Sequence, residues 1–111
     1  MHTNGNITLI DANEGDIKSI IQGVIAPFQE NKSYKLLLKK RVIVNKINGF
    51  EINQLIRAKN KNIFNKIFIL KKEEDVFLIS FFCYKKDVNL YNQLFTEIAY
   101  SFMSNVDNDT D

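Results

Sequence analysis

Groups that could carry out nucleophilic or acid–base chemistry are few in this 111-residue sequence. Nucleophilic catalysis needs a nucleophile beside a base, and near neutral pH that base is usually histidine. His2 is the single histidine, at the start of the chain, which argues against a Ser-His-Asp or Cys-His site. Cys83 is the single cysteine and lies in an apolar run, so we expect a buried, inert thiol.

Carboxylates remain as candidates for acid–base or metal chemistry. Two groups stand out in the sequence: Glu73, Glu74 and Asp75, and Asp107, Asp109 and Asp111. The first follows two lysines in a predicted hairpin turn, which favours a solvated turn. The second lacks the turn glycine and the final glutamate of a calcium loop. No CxxC, paired histidine or glycine-rich phosphate loop occurs, so the sequence predicts no catalytic residue, no metal and no cofactor.

Positive charge is concentrated in the middle of the chain. Residues 32 to 72 contain twelve Lys and Arg against one acid, Glu51, whereas the whole chain has a net charge of +2. Such asymmetry is typical of a surface for an anionic partner, but strands with outward lysines give the same count. The residues predicted for a partner-binding basic surface are Lys35, Lys39, Arg57, Lys59, Lys61 and Lys66.

Nucleic acid is a weaker alternative for that surface. Tyr34, Phe64 and Phe68 lie among the lysines, and aromatic side chains between cations can stack on single-stranded bases. These three residues also fit core positions of the strand alternation, and no known nucleic-acid motif is present.

Hydrophobic periodicity predicts six elements. Apolar spacing predicts a helix from Asn13 that ends near Ala26, because Pro27 lacks an amide donor. A long strand with a bulge at residues 39–41 follows, and Asn48-Gly49 predicts the next hairpin turn. The returning strand should place Phe50, Ile52 and Ile56 on one covered face.

Two further strands, at residues 63–70 and 76–84, are apolar on both faces and should be covered on both. A closing helix over 87–105 has Asp87 or Asn89 as its cap and carries an apolar stripe at helical spacing, made of Leu90 or Tyr91, Leu94, Phe95, Ile98 and Phe102. The prediction is therefore an α+β fold of order αββββα, an antiparallel sheet of four or slightly more strands between two helices. Residues 13–104 form one domain, preceded by an extension at 1–12 with one short strand and followed by a flexible acidic tail at 105–111.

The order of elements resembles the PsbP-like family of α/β/α sandwich proteins. The resemblance rests on the Ile-Asn-Gly stretch at 47–49, on the hydrophobic strand pair, and on the closing-helix residues Phe95, Ile98, Ser101 and Phe102. It covers roughly residues 33–103, and the front of the chain departs from the family, which usually has a longer strand-rich start. A compact or divergent member of the family is what the residues support.

The resemblance implies a non-enzymatic, protein-binding role. The family includes extrinsic subunits of photosystem II, a nuclear import factor that binds the small GTPase Ran, and bacterial lipoproteins; similar folds occur among immunity proteins. An envelope-associated or immunity setting follows from it, and a basic binder of nucleic acid or an anionic ligand is the alternative. A homodimer is a further option if only one sheet face is covered. No run is long enough to span a bilayer and the compartment is left open.

Overall fold

The structure is a computed structural model that describes residues 4–11, 17–29, 32–44, 46–73 and 75–108. The side chains of residues 4, 6–11, 17 and 103–108 are not described. The elements, in chain order, are β1 (Asn4–Asp11), α1 (Ile17–Gln29), β2 (Lys35–Val44), β3 (Ile47–Ala58), β4 (Lys61–Lys72), β5 (Asp75–Tyr84), a 3₁₀ turn (Lys85–Asp87) and α2 (Val88–Asn108).

The five strands form one antiparallel sheet in the order β1-β5-β4-β3-β2. The predicted α+β class and the order αββββα are confirmed, and β1 adds a fifth strand in front of them. It lies within the predicted extension and pairs with β5 along its whole length, from Asn4 opposite Phe82 to Asp11 opposite Asp75. Consecutive strands from β2 to β5 are joined by short turns, which is why they are antiparallel neighbours.

The two helices cover opposite faces of the sheet. One buried cluster joins α1 to the sheet and comprises Ile21, Ile25, Ile52, Ile67, Ile69 and Val76. The other joins α2 to the sheet and includes Val42, Val44, Phe64, Phe68, Leu70, Ile79, Phe81, Phe95 and Ala99. Odd and even residues of β4 and β5 fall in different clusters because side chains alternate along a strand. The prediction that these strands need cover on both faces is confirmed.

The predicted turn at Asn48-Gly49 is wrong. The chain reverses between Val44 and Ile47, which pair with each other, and Lys46 adopts a φ of 70°. Gly49 lies inside β3, between Val42 of β2 and Leu70 of β4. A Cβ at position 49 would clash with the carbonyl oxygen of Ile69, so glycine is required here by the close approach of β4.

Helix α1 also differs from its predicted end, because Pro27 lies inside it and the helix continues to Gln29. Proline removes only the hydrogen bond from position 27 to the carbonyl of Gly23, and both residues are exposed. Water can therefore hydrate the freed carbonyl, and the helix tolerates the residue in its last turn.

The structure also differs from the sequence prediction in three smaller features. The irregularity in β2 lies between Leu36 and Leu38, not at 39–41. The closing helix was predicted from residue 87, whereas α2 begins at Val88 and Asp87 is the last residue of the 3₁₀ turn. Helix α2 extends to Asn108, into the segment predicted as a tail.

Candidate interaction surfaces

Strand β2 forms an exposed edge of the sheet. Within the described residues it pairs with β3 alone, so the backbone groups on its outer side have no strand partner. Its exposed side chains, which we call the edge surface, are Lys35, Leu36, Leu37, Lys39, Lys40, Arg41 and Ile43. Four of these are cations, and three are large apolar residues; Ile43 is 70% exposed and Leu37 50%.

A groove of about 330 Å³ adjoins the edge surface on the α1 side of the sheet. Its described lining is Lys18, Ile21 and Gln22 from α1, Lys39 and Arg41 from β2, and Phe50 from β3. The guanidinium carbon of Arg41 lies 5.8 Å from the centre of the Phe50 ring, a cation–π distance. The groove therefore combines apolar walls with three cationic side chains.

A second cavity, which we call the turn pocket, has a volume of about 430 Å³ and lies at the end of the sheet formed by the β3–β4 turn. Its described lining is Asn60, Lys61, Asn62, Tyr84, Lys85 and Lys86. Lys59 and Asn60 form the turn with φ values of 50° and 63°, and Ala58 pairs with Lys61 to close it. The Lys86 Nζ atom lies 5.8 Å from the centre of the Tyr84 ring.

The predicted basic residues are divided among three places. Lys35 and Lys39 belong to the edge surface, and Lys61 lines the turn pocket. Lys59 lies in the β3–β4 turn itself, and Arg57 donates from Nη1 to Asn62 Oδ1 at 3.3 Å. The sequence did not indicate Lys85 and Lys86 as part of this group, because they are distant in sequence from the turn.

Lys66 is not on any of these surfaces. It lies in the central strand β4 with 3% of its side chain exposed, and its Nζ donates to Glu51 Oε2 at 2.6 Å. Asn53 completes the cluster by donating from Nδ2 to Glu51 Oε2 at 3.2 Å and by accepting from Lys66 Nζ at 3.4 Å. The alternation of β4 points Lys66 to the α2 side, where it is buried, so it must be removed from the predicted surface.

Buried polar side chains also form a chain on the α1 side of the sheet. Tyr34 donates to Gln54 Oε1 at 2.8 Å, and Gln54 Nε2 donates to Asn65 Oδ1 at 2.9 Å. Asn65 Nδ2 then donates to Ser80 Oγ at 3.1 Å and to the Phe81 carbonyl at 2.9 Å. Burial raises the pKa of the Tyr34 phenol above its ordinary value, so the phenol stays protonated as a donor.

These buried groups are engaged within the fold. Every buried side-chain nitrogen or oxygen atom in the described part of the chain has a hydrogen-bond partner. Residues 4–11, 17–29, 32–44, 46–73 and 75–108 contain no group of three or more side chains that could hold a metal ion. Cys83 is buried, as predicted, and the pKa of its thiol is raised by burial and then by the negative charge of Asp87.

Helix α2 leaves apolar side chains in solvent. Phe95 and Ala99 are buried against the sheet, whereas Leu90, Leu94 and Ile98 are exposed, Leu90 to 72%. Leu94 and Ile98 were predicted on the buried stripe, so the helix is rotated from that prediction and buries Tyr91, Phe95, Ala99 and Phe102 in part or in full. None of the helices in the described residues has the length and apolar character needed to cross a bilayer.

Comparison with known proteins gives a result at the level of the fold. No family model and no curated sequence matches the chain. Among solved structures, the chain is similar to PA94 of Pseudomonas aeruginosa, a protein of unknown function, with a TM-score of 0.68 and 8% identity over 90% of this chain and 82% of that one. It is also similar to the cyanobacterial PsbP protein CyanoP of Synechocystis sp. PCC 6803, with a TM-score of 0.59 and 8% identity over 87% of this chain and 64% of that one. The chain therefore has a PsbP-like fold, as the resemblance implied.

Proposed function

We propose that this chain is a non-catalytic protein-binding domain that docks an acidic, extended segment of another protein along the edge surface. The observation that carries the proposal is the exposed edge strand β2, which presents four cations together with three exposed large apolar side chains. An extended peptide can add to such an edge by backbone hydrogen bonds, while its side chains enter neighbouring grooves.

The charge of β2 determines the kind of segment that fits. The strand carries Lys35, Lys39, Lys40 and Arg41 and no acid, so pairing with a second copy of itself would bring like charges together. Lys18 of α1 adds a fifth cation beside Lys39 and Arg41 in the adjoining groove. An acidic strand would satisfy both the backbone edge and these cations.

Lysine on an edge strand also protects against aggregation, and that role alone would explain the charges. It does not explain why Leu36, Leu37 and Ile43 are exposed on the same strand. Exposed apolar side chains between cations are typical of a surface that becomes covered in a complex.

Nucleic-acid binding receives less support. Phe64 and Phe68 are buried in the α2-side cluster, and the hydroxyl of Tyr34 is bonded to Gln54, so these rings are not a stacking surface beside the lysines. Binding to heparin or single-stranded DNA that falls steeply with salt would favour this alternative over the protein-binding proposal.

The test uses a short capped peptide of alternating Glu and Val, and a second peptide in which proline replaces every other Val. We expect the first to shift the backbone amide NMR signals of Lys35–Val44. The second should bind at least about tenfold more weakly, because proline lacks the donor for strand pairing.

Charge-reversal variants locate the site. Lys39→Glu with Arg41→Glu should weaken the binding of the Glu-Val peptide by at least about tenfold. Lys85→Glu with Lys86→Glu, an equal change of charge at the turn pocket, should leave the affinity within about threefold. Equal losses in both variants, equal binding of the two peptides, or no binding at low salt would each refute the edge-surface proposal.

A further inference from the structure

The turn pocket has walls from two parts of the chain that are held together by the sheet. One wall is the β3–β4 turn with Asn60, Lys61 and Asn62, and the other is the end of β5 with the residues that follow it. Ile63, which follows Asn62, pairs with the lining residue Tyr84, and this pairing holds the two walls together. The cavity is therefore part of the folded sheet rather than a gap between independent loops.

The charges in this pocket are unbalanced. Its described lining contains the ammonium groups of Lys61, Lys85 and Lys86 and no carboxylate. Asp87 follows in the chain, and its charge acts on the Cys83 thiol. Among the described residues, none of the three lysines forms an ion pair with a carboxylate. Three like charges around one cavity repel one another, and an anion in the cavity would relieve that repulsion.

The remaining polar groups are suited to the same ligand. Lysine ammonium groups, amide nitrogens and a phenol can all donate hydrogen bonds to anionic oxygens. The Asn62 Oδ1 atom accepts from Arg57, so its Nδ2 group is the part that is left to donate into the cavity. The Tyr84 ring lies under Lys86 and helps to hold that ammonium group at the cavity wall.

We propose that the turn pocket binds the diphosphate group of a small phosphorylated molecule. Three cations match the charge of such a group, and a cavity of about 430 Å³ is within the size range of small-ligand pockets. Compact phosphate oxygens can be reached by several lysines and amides at once, which an extended acidic peptide would not allow. The proposal does not depend on peptide binding at the edge surface.

The test is a titration of the folded protein with inorganic pyrophosphate, in which binding is measured by calorimetry and by amide NMR. We expect shifts confined to residues 60–62 and 84–86. Lys85→Gln with Lys86→Gln should weaken binding by at least about tenfold. The matched control, Lys39→Gln with Lys40→Gln, removes the same charge from the edge surface and should change the affinity by less than about twofold.

Three results would overturn the proposal: no binding at low salt, an equal loss in both double variants, or shifts spread along β2. A second titration, with a nucleoside diphosphate, shows whether the pocket binds the diphosphate group alone or as part of a nucleotide. Equal affinity for it and for pyrophosphate means that the pocket recognises the phosphates alone, whereas tighter binding means that it also contacts the nucleoside. Because the Glu-Val peptide is tested with the reciprocal variants, failure of this proposal and failure of the edge-surface proposal are distinguishable.

Discussion

Lys66 and Glu51 form an ion pair under helix α2, with 2.6 Å between Nζ and Oε2 and at least 93% of each side chain buried. Removing one partner of such a pair leaves the other charge in a medium of low polarity. Lys66→Met should therefore lower the free energy of unfolding by about 3–5 kcal/mol, measured by urea denaturation. Lys71→Met, an exposed position on the same strand, is the control and should change it by less than about 0.5 kcal/mol.

Removing both charges gives a sharper test of the same pair. In Glu51→Leu with Lys66→Met, Asn53 loses its two partners, and we expect a cost of only about 1–3 kcal/mol. A double variant that is less stable than Lys66→Met would show that the cost of the single change does not come from the unpaired carboxylate.

Replacing Gly23 of α1 or Gly49 of β3 with alanine should change the stability of the protein in opposite directions. Gly49→Ala places a Cβ against the Ile69 carbonyl and the Leu70 side chain, so we expect it to destabilise the protein by about 1–3 kcal/mol or more. At Gly23, on the exposed side of α1, a Cβ meets nothing within 4 Å, and alanine should stabilise by about 0.5–1 kcal/mol. Thermal unfolding of both variants is the measurement, and a tolerated alanine at 49 would contradict the close approach of β4.

The buried thiol of Cys83 should make stability depend on pH in the alkaline range. Because burial and Asp87 raise its pKa in the folded state, the native protein holds this proton to higher pH than the unfolded chain does. The stability that the protonated thiol contributes is complete below the unfolded thiol pKa of about 8.5. It is lost as the pH rises through the raised pKa of the folded state. We expect the free energy of unfolding to fall less between about pH 7.5 and 10 in Cys83→Ala than in the unsubstituted protein.

A thiol reagent checks the same group independently. Native protein at about pH 8 should react with Ellman's reagent only as fast as it unfolds, and urea should expose the thiol. In the pH experiment, the raised pKa of Tyr34 is present in both the unsubstituted protein and Cys83→Ala, so its effect on stability cancels when the two are compared. Rapid labelling of the native protein would contradict the burial of Cys83.

The oligomeric state follows from the cover of the sheet. A dimer was an option if one face of the sheet were bare, but α1 and α2 cover opposite faces. We therefore expect size-exclusion chromatography with light scattering to give the monomer mass of 12.9 kDa at micromolar concentration. A mass of twice that value, lost in Leu94→Glu with Ile98→Glu, would instead assign the exposed residues of α2 to a dimer interface.

The sequence predicted those features of the fold that depend on local periodicity. The apolar runs of β4 and β5 and the helical spacing around Phe95 are strong signals, and they led to the correct class and order. The turn at Asn48-Gly49 was mispredicted because its glycine is needed where another backbone comes close, and only the position of Ile69 reveals this.

The candidate surfaces were less predictable because they depend on distant residues. Lys66 looks like any other strand lysine until Glu51 is placed beside it by the β3–β4 register. Lys85 and Lys86 join Lys61 only because β5 ends beside the β3–β4 turn. Basic composition therefore indicated that a charged surface exists, but the pairing of strands decides which lysines share it.

The buried polar contacts on the two sides of the sheet have a further consequence for how the strands align. Strands β4 and β5 are apolar on both faces, so sliding one past the other by two residues would keep every apolar side chain on its face. A slip that moved Asn65 from its position opposite Phe82 to one opposite Tyr84 would separate it from Ser80, and a slip that moved Lys66 from opposite Asn53 to opposite Leu55 would separate it from Glu51. A slip of β3 past β4 in either direction would also move Gln54 from its position opposite Asn65. Buried donors and acceptors would then lose their partners across the strands, which is costly. The polar residues thus select one alignment among several that hydrophobic packing alone would accept.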